Sequence, residues 1–99
     1  MYGTIARLKV KEGALEELRR METSRTPEGF VGTFVFQSDQ SADELWLVAI
    51  FNNKLNYFAN AGSAEQDQDY QKLRQQLKAD PEWHDGEIVF ASEQLQQPC

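Results

Sequence analysis

The side chains with obvious acid–base or nucleophilic chemistry are few in this 99-residue chain. His84 is the only histidine and Cys99 the only cysteine. Histidine titrates nearest to neutrality, so His84 is a candidate acid–base residue, although its place in the polar stretch 81–86 also predicts a solvent-facing turn residue. One histidine without further cysteines or clustered acids argues against a transition-metal site. Cys99 is expected to be a free surface thiol at a frayed chain end.

Three further residues carry polar groups at positions in predicted helices and strands where apolar side chains would normally form the core. Tyr57 and Tyr70 fall in predicted helices, and each can either line a cavity between helices and sheet or pack its ring in the core with the hydroxyl at the rim. Arg7 stands in the middle of a predicted strand. It is interpreted either as an anion-binding group or as half of an interface ion pair, for example with an acid of a partner chain.

An uninterrupted apolar run predicts the element around which these residues are organised. Glu44 is followed by seven apolar residues, from Leu45 to Phe51, before two asparagines end the run. A β-strand turns alternate side chains to opposite faces, so this strand is apolar on both faces and is expected to be central and covered on both sides. The run is too short to span a membrane.

Hydrophobic periodicity predicts the other elements and one fold. The expected order is a strand from Tyr2 to Val10, a helix from Ala14 to about Arg25, a strand from Phe30 to Phe36, the apolar strand, a short helix capped by Asn52 or Asn53, a helix from Ser63 to Asp80, a turn at 83–86 and a strand from Glu87 to Ala91. This β-α-β-β-α-β order predicts a ferredoxin-like α+β sandwich with both helices on one face of a four-stranded antiparallel sheet. We expect one domain over residues 1–92 and a polar tail over residues 93–99.

The second and third strands also predict a homodimer. Whichever of their faces meets the helices, the other face keeps about six large apolar side chains, a patch larger than soluble monomers usually expose. A second copy of the sheet would cover that face. The expected assembly is therefore two sheets facing each other.

Charge and composition indicate which other partners are not expected and which cellular location is. The formal net charge is −6, and the longest run of cations is the pair Arg19–Arg20. Nucleic acids and anionic membrane surfaces both require clustered cations, so neither is an expected partner. The aromatic strand 29–36 superficially resembles the motif of RNA-recognition modules, but it lies on the second strand and no cation precedes it. No secretory signal is visible, and a reducing cytoplasmic location is expected.

Several turn motifs resemble those of the antibiotic biosynthesis monooxygenase (ABM) domain, over residues 2 to about 92. They are Leu8-Lys9-Val10-Lys11-Glu12-Gly13, Pro27-Glu28-Gly29-Phe30-Val31-Gly32 and Pro81-Glu82-Trp83-His84-Asp85-Gly86-Glu87, set around an apolar third strand that ends in an aromatic residue. The resemblance implies a dimeric α/β barrel. Members of that family include cofactor-free monooxygenases of aromatic polyketides, haem-degrading enzymes and proteins without an assigned activity.

The resemblance also implies which residues would act. Haem-degrading members use an Asn, a Trp and a His at places occupied here by Ala6, Asn60 and Tyr70, so haem degradation is not expected. Cofactor-free oxygenation needs an electron-rich phenol or hydroquinone whose anion meets O₂ in a dry pocket. The candidate catalytic residues for it are Tyr70, Tyr57, His84 and Arg7, with no cofactor and no metal.

Two functions of different classes remain open from the sequence. One is a monooxygenase acting on an aromatic or quinone-like molecule. The other is a non-catalytic dimeric domain that binds a small apolar ligand. Oxygen consumption would distinguish the two.

Overall fold

The computed structural model describes residues 1–20 and 27–92. The elements are β1 (Tyr2–Lys9), α1 (Ala14–Arg20), β2 (Phe30–Gln37), β3 (Glu44–Phe51), α2 (Lys54–Ala61), α3 (Ala64–Arg74) and β4 (Glu82–Glu87). The four strands form one antiparallel sheet in the order β2-β3-β1-β4. The ferredoxin-like α+β fold predicted from the sequence is confirmed. None of the described helices is long and apolar enough to cross a membrane.

Most of the predicted elements lie where the periodicity placed them. Strands β1, β2 and β3 agree with the prediction to within one residue, and β3 is a central strand. Both predicted helix caps are present: the Asn53 side chain accepts a hydrogen bond from the Asn56 backbone N–H, and the Ser63 hydroxyl accepts one from Gln66. The predicted end of the first helix, residues 21–25, and the tail 93–99 lie outside the described residues.

The predicted position of the last strand is wrong. Residues 83–86, expected to form a turn, belong to β4, which ends at Glu87, and residues 88–91 lie beyond it. The polar composition of 82–87 is tolerated because β4 is an edge strand whose backbone pairs with β1, while its side chains stay largely in solvent. A polar edge strand has the composition of a turn but not its backbone.

The predicted end of the longer helix is also wrong. Helix α3 ends at Arg74, six residues before the expected stop at Asp80. The chain then turns so that Leu77 forms a β-bridge with Val10, and Lys78 donates its backbone N–H to the Lys9 carbonyl at 2.8 Å. Leu77 is 1% exposed. Burial of this leucine against the sheet stabilises the turn.

The apolar core lies at one end of the sandwich. Its members are aliphatic and come from β1 and the residue after it, β3, the start of α1 and the segment after α3: Ala6, Leu8, Val10, Ala14, Leu45 and Leu77. Partly buried leucines of α1 and α3 pack against this cluster. The opposite end of the same layer, beyond Ala6 towards Tyr2 and Phe51, is aromatic instead.

The sheet face turned away from the helices is open and apolar in the single chain. The cross-strand register places Ile5 beside Val48, and Val48 beside Phe34. Ile5 is 46% exposed and Phe34 58% exposed. We call the apolar side chains on this side the open face; they are Ile5, Phe34, Phe36, Trp46, Val48 and Ile50.

Gly3 permits the close approach of β1 to β3. A Cβ atom at Gly3 would lie 2.1 Å from the Ala49 carbonyl oxygen, whereas one at Gly86, its partner in β4, would meet nothing within 4 Å. We expect Gly3→Ala to lower the free energy of unfolding by about 2 kcal/mol or more, because the backbone must move apart. Gly86→Ala is the matched control and should stay within about 1 kcal/mol of the wild type. Denaturant unfolding measures both. Equal stability of the two variants would contradict the predicted clash.

Candidate functional site

A cavity of about 470 Å³ opens between the helices and the aromatic end of the sheet. It lies beside the aliphatic core. All four strands and the helices α2 and α3 contribute residues to its wall. The residues that line it are Thr4, Pro27, Phe30, Thr33, Leu47, Ala49, Phe51, Tyr57, Asn60, Ala61, Gln66, Asp67, Asp69, Tyr70, Leu73 and Trp83. A volume of this size accommodates a small organic molecule.

Aromatic rings form two walls of the cavity. On one side Phe51 contacts Phe30 and Tyr57, with centroid separations of 5.6 and 5.7 Å and edge-on geometry. On the other side Tyr70 and Trp83 lie 6.4 Å apart. Edge-on contacts of this kind fix ring orientation, and they leave ring surfaces available to stack with a planar ligand.

The structure defines the hydrogen bonding and the protonation of the Tyr57 phenol. Its hydroxyl donates a hydrogen bond of 2.9 Å to Asp85 Oδ1. Burial of the phenol, reinforced by the hydrogen bond to Asp85, raises the pKa of Tyr57 to about 12. Tyr57 therefore stays protonated at neutral pH, so its hydroxyl is available for hydrogen bonding and not as a base.

Thr4 brings a buried hydroxyl to the same end of the cavity. The residue is 4% exposed, and its Oγ1 has no hydrogen-bond partner of normal geometry among the described residues. The hydroxyl lies close enough to Tyr57 to favour the phenolate slightly, against the larger effects that raise the pKa of that phenol. A buried hydroxyl without a good partner costs free energy of folding.

Helix α3 supplies the polar rim of the cavity. Residues 66, 69, 70 and 73 follow helical spacing and therefore share the face turned to the cavity. The helix starts at the Ser63 cap, next to α2, and the Asn60 side-chain amide donates to the Gln66 side chain at 3.2 Å. Within residues 1–20 and 27–92, no three His, Cys, Asp or Glu side chains are grouped to hold a metal ion.

The structure separates the four residues that the sequence offered for catalysis. Tyr57 and Tyr70 line the cavity, as one of the two interpretations predicted. His84 and Arg7 point to the opposite side of the sheet, where they are register partners of Ile5 and Trp46. No catalytic group of the cavity can therefore come from His84 or Arg7 of the same chain.

Arg7 and His84 have partners on their own chain. Arg7 donates two hydrogen bonds to Glu44 Oε1, at 2.7 and 2.9 Å, and Lys9 lies 3.2 Å from the same oxygen. The Arg7 hydrogen bonds, followed by the one from Lys9, lower the pKa of Glu44. His84 is exposed, as predicted, and its Nε2 lies 2.9 Å from Glu82 Oε1.

Sequence reasoning missed Asp85, Thr4 and Trp83 as residues of this region. Asp85 and Trp83 alternate with His84 along β4, so a period of two through 82–87 was the signal that could have identified them. Thr4 shares the buried face of β1 with Ala6 and Leu8. Its lack of a partner depends on contacts across the fold, which no local pattern encodes.

The sheet order, the layer of helices on one face and the cavity between them define the class of the protein as a ferredoxin-like α+β domain. Comparison with known proteins finds solved structures of the same fold. No family model and no curated protein matches the chain.

Several of these structures are of proteins named as antibiotic biosynthesis monooxygenases or oxygenases. A protein of Nitrosomonas europaea provisionally named an antibiotic biosynthesis monooxygenase superposes with a TM-score of 0.73 and 19% identity, over 91% of this chain and 100% of that one. A similarly named protein of Chloroflexus aurantiacus gives 0.74 and 19%, over 92% and 95%. SnoaB of Streptomyces nogalater, a cofactor-independent oxygenase solved as a mutant, gives 0.76 and 11%, over 93% and 96%.

These likenesses establish the fold and confirm the structural resemblance predicted from the turn motifs. One motif has a clear physical basis in the structure. Gly29 has φ +81°, and a Cβ there would lie 2.4 to 2.8 Å from side-chain atoms of Asn52 and Asn56. Only glycine fits this entry into β2 without strain.

We predict that Thr4→Val raises the free energy of unfolding by about 1 kcal/mol, because valine has nearly the shape of threonine and removes a buried hydroxyl without a good partner. Thr33→Val, at an exposed position on β2, is the matched control and should change stability little. Thermal and denaturant unfolding give both values. A destabilised Thr4→Val variant would show that the hydroxyl is satisfied in the folded protein.

Proposed function

We propose that the protein is a cofactor-independent monooxygenase that oxidises an aromatic or quinone-like small molecule in the cavity between its helices and sheet. The observation that carries this proposal is the cavity itself, of about 470 Å³, with aromatic walls and two tyrosines among its lining residues. The fold shared with a cofactor-independent oxygenase supports it as an analogy.

The chemistry requires that a phenol or hydroquinone lose a proton to the solvent as it binds and that its anion react with O₂ away from bulk water. The substrate supplies all the electrons: one oxygen atom of O₂ enters the quinone product, and the other leaves as water. In the proposed complex the aromatic walls hold the ring of the substrate, and Tyr70 and Tyr57 hydrogen-bond its oxygen atoms. Neither tyrosine needs to ionise for this role. Arg7 and His84 take no part in it, because they lie on the other side of the sheet.

We expect purified protein to consume O₂ with members of a panel of phenols and hydroquinones. The rate should fall roughly tenfold in Tyr70→Phe, which removes one hydrogen bond to the substrate. Tyr2→Phe is the matched control, because Tyr2 is buried outside the cavity, and it should keep the wild-type rate. An oxygen electrode measures all three proteins.

Binding of the phenols without oxygen uptake would contradict the enzymatic proposal. It would support the alternative of a non-catalytic domain for a small apolar ligand. Equal rates in Tyr70→Phe and the wild type would remove Tyr70 from the proposed mechanism.

We further propose that the protein is a homodimer in which the open faces of two sheets meet. Phe34, Phe36 and Ile5 are about half exposed in the single chain, in a setting where soluble monomers rarely leave a contiguous apolar patch. The ion pair of Arg7 with Glu44 lies at the margin of this face, so the charges near it are paired within the chain. A cytoplasmic location remains a prediction from the sequence.

Native mass spectrometry at micromolar concentration should show a species of twice 11.4 kDa. Phe34→Lys should convert it to the monomer, because two lysines would meet in or near a desolvated interface. Leu55→Lys is the matched control: Leu55 is 79% exposed on α2, away from the open face, and its substitution should leave the oligomeric state unchanged. A monomeric wild type would overturn the dimer.

A further inference from the structure

The hydrogen bond between Tyr57 and Asp85 has a directional consequence for any molecule in the cavity. A phenol has one proton, and an ionised carboxylate can only accept. The Tyr57 proton is therefore directed to Asp85 Oδ1 at 2.9 Å. The phenol oxygen can then act only as an acceptor, and it has two lone pairs, of which the nearby Thr4 hydroxyl can use one.

Both partners are held in place by the fold. Asp85 lies within β4, directly opposite Thr4 of β1, so its position is set by the strand register and not by a loop. The Tyr57 ring has ring contacts with Phe58, Tyr2 and Phe51, at centroid separations of 5.0, 5.2 and 5.7 Å. Rotation of the phenol away from Asp85 would disturb these contacts.

We infer that Asp85 holds the Tyr57 proton and so makes the Tyr57 oxygen a hydrogen-bond acceptor, and that the cavity thereby selects aromatic ligands that present a hydroxyl donor to this wall. Tyr57 is the residue that touches the ligand, and Asp85 is a positioning residue. The inference rests on the proposed function only in taking the cavity as the site of an aromatic ligand. Beyond the proposed function, it states a ligand preference of the cavity: aromatic molecules with a hydroxyl group bind more tightly than the corresponding ethers and ketones.

Glu82 provides a matched control for this selection. It lies on the same strand as Asp85, but on the other side of the sheet, where its Oε1 lies 2.9 Å from His84 Nε2. Removal of the Glu82 carboxylate should therefore leave the preference for a donor in place.

The test is calorimetric titration of the full-length protein with three probes of similar size: 1-naphthol, 1-methoxynaphthalene and 1-acetylnaphthalene. In the wild type, 1-naphthol should bind about tenfold more tightly than the ether, the effect of about one hydrogen bond. In Asp85→Ala the proton of Tyr57 becomes available, so this ratio should fall to about one and the ketone should gain affinity. Tyr57→Phe should abolish the preference independently, and Glu82→Ala should keep it.

The outcomes distinguish the proposed function, the ligand preference and the role of Asp85. If no probe binds to the wild type, the proposed function fails and the inference fails with it. If the naphthol and the ether bind equally well to the wild type, the inference is overturned while the cavity stands as an aromatic site. A tenfold preference that survives in Asp85→Ala would overturn the role of Asp85, and circular dichroism of that variant shows whether β4 is still folded.

Discussion

The pairing of β1 with both β3 and β4 is the constraint on which the rest of the structure depends. β1 is the strand between them, and its residues alternate between the helix layer and the open face. The register brings Ala6 beside Leu47 and Thr4 beside Asp85. One strand thus positions the aliphatic core, the inner end of the cavity and the carboxylate that binds Tyr57.

The helix layer divides along β1 into two regions with different physical roles. Towards Lys9 the layer is filled by aliphatic side chains that exclude water and stabilise the sandwich. Towards Tyr2 it is lined by rings that contact one another edge-on, and these leave a cavity. The cavity therefore lies at the aromatic end of the helix layer and not at the aliphatic end.

The sequence predicted the fold well because its strongest signals were about burial. The apolar run ending at Phe51 and the alternation in β1 depend on which side chains avoid water, and these determined the sheet. The β4 prediction failed because the side chains of this edge strand, mostly Glu, Trp, His and Asp, are exposed and show no pattern of buried residues. Its backbone pairing with β1 leaves no hydrophobic periodicity in the sequence. The end of α3 was missed because the burial of Leu77 comes from Val10, far away in the chain.

The candidate site could be predicted only in part for the same reason. Tyr57 and Tyr70 were identified as helix residues able to reach a cavity, since spacing on a helix is a local property. That His84 lies on the wrong side of the sheet follows from the shifted position of β4, and the bond between Tyr57 and Asp85 joins residues 28 positions apart. Partnerships of this kind are set by register and cannot be derived from residue types alone.

The glycine at position 3 also affects how the sheet finds its register during folding. A slip of β1 along β3 by two residues would keep every side chain on its proper face, so burial alone distinguishes such pairings poorly. In the native register the backbone of β3 comes so close that only a residue without Cβ fits. In a slipped register a side chain such as Ile5 would take that place, and the strands could not close. Gly3 thus acts as a steric marker that favours one pairing among several that satisfy the hydrophobic pattern.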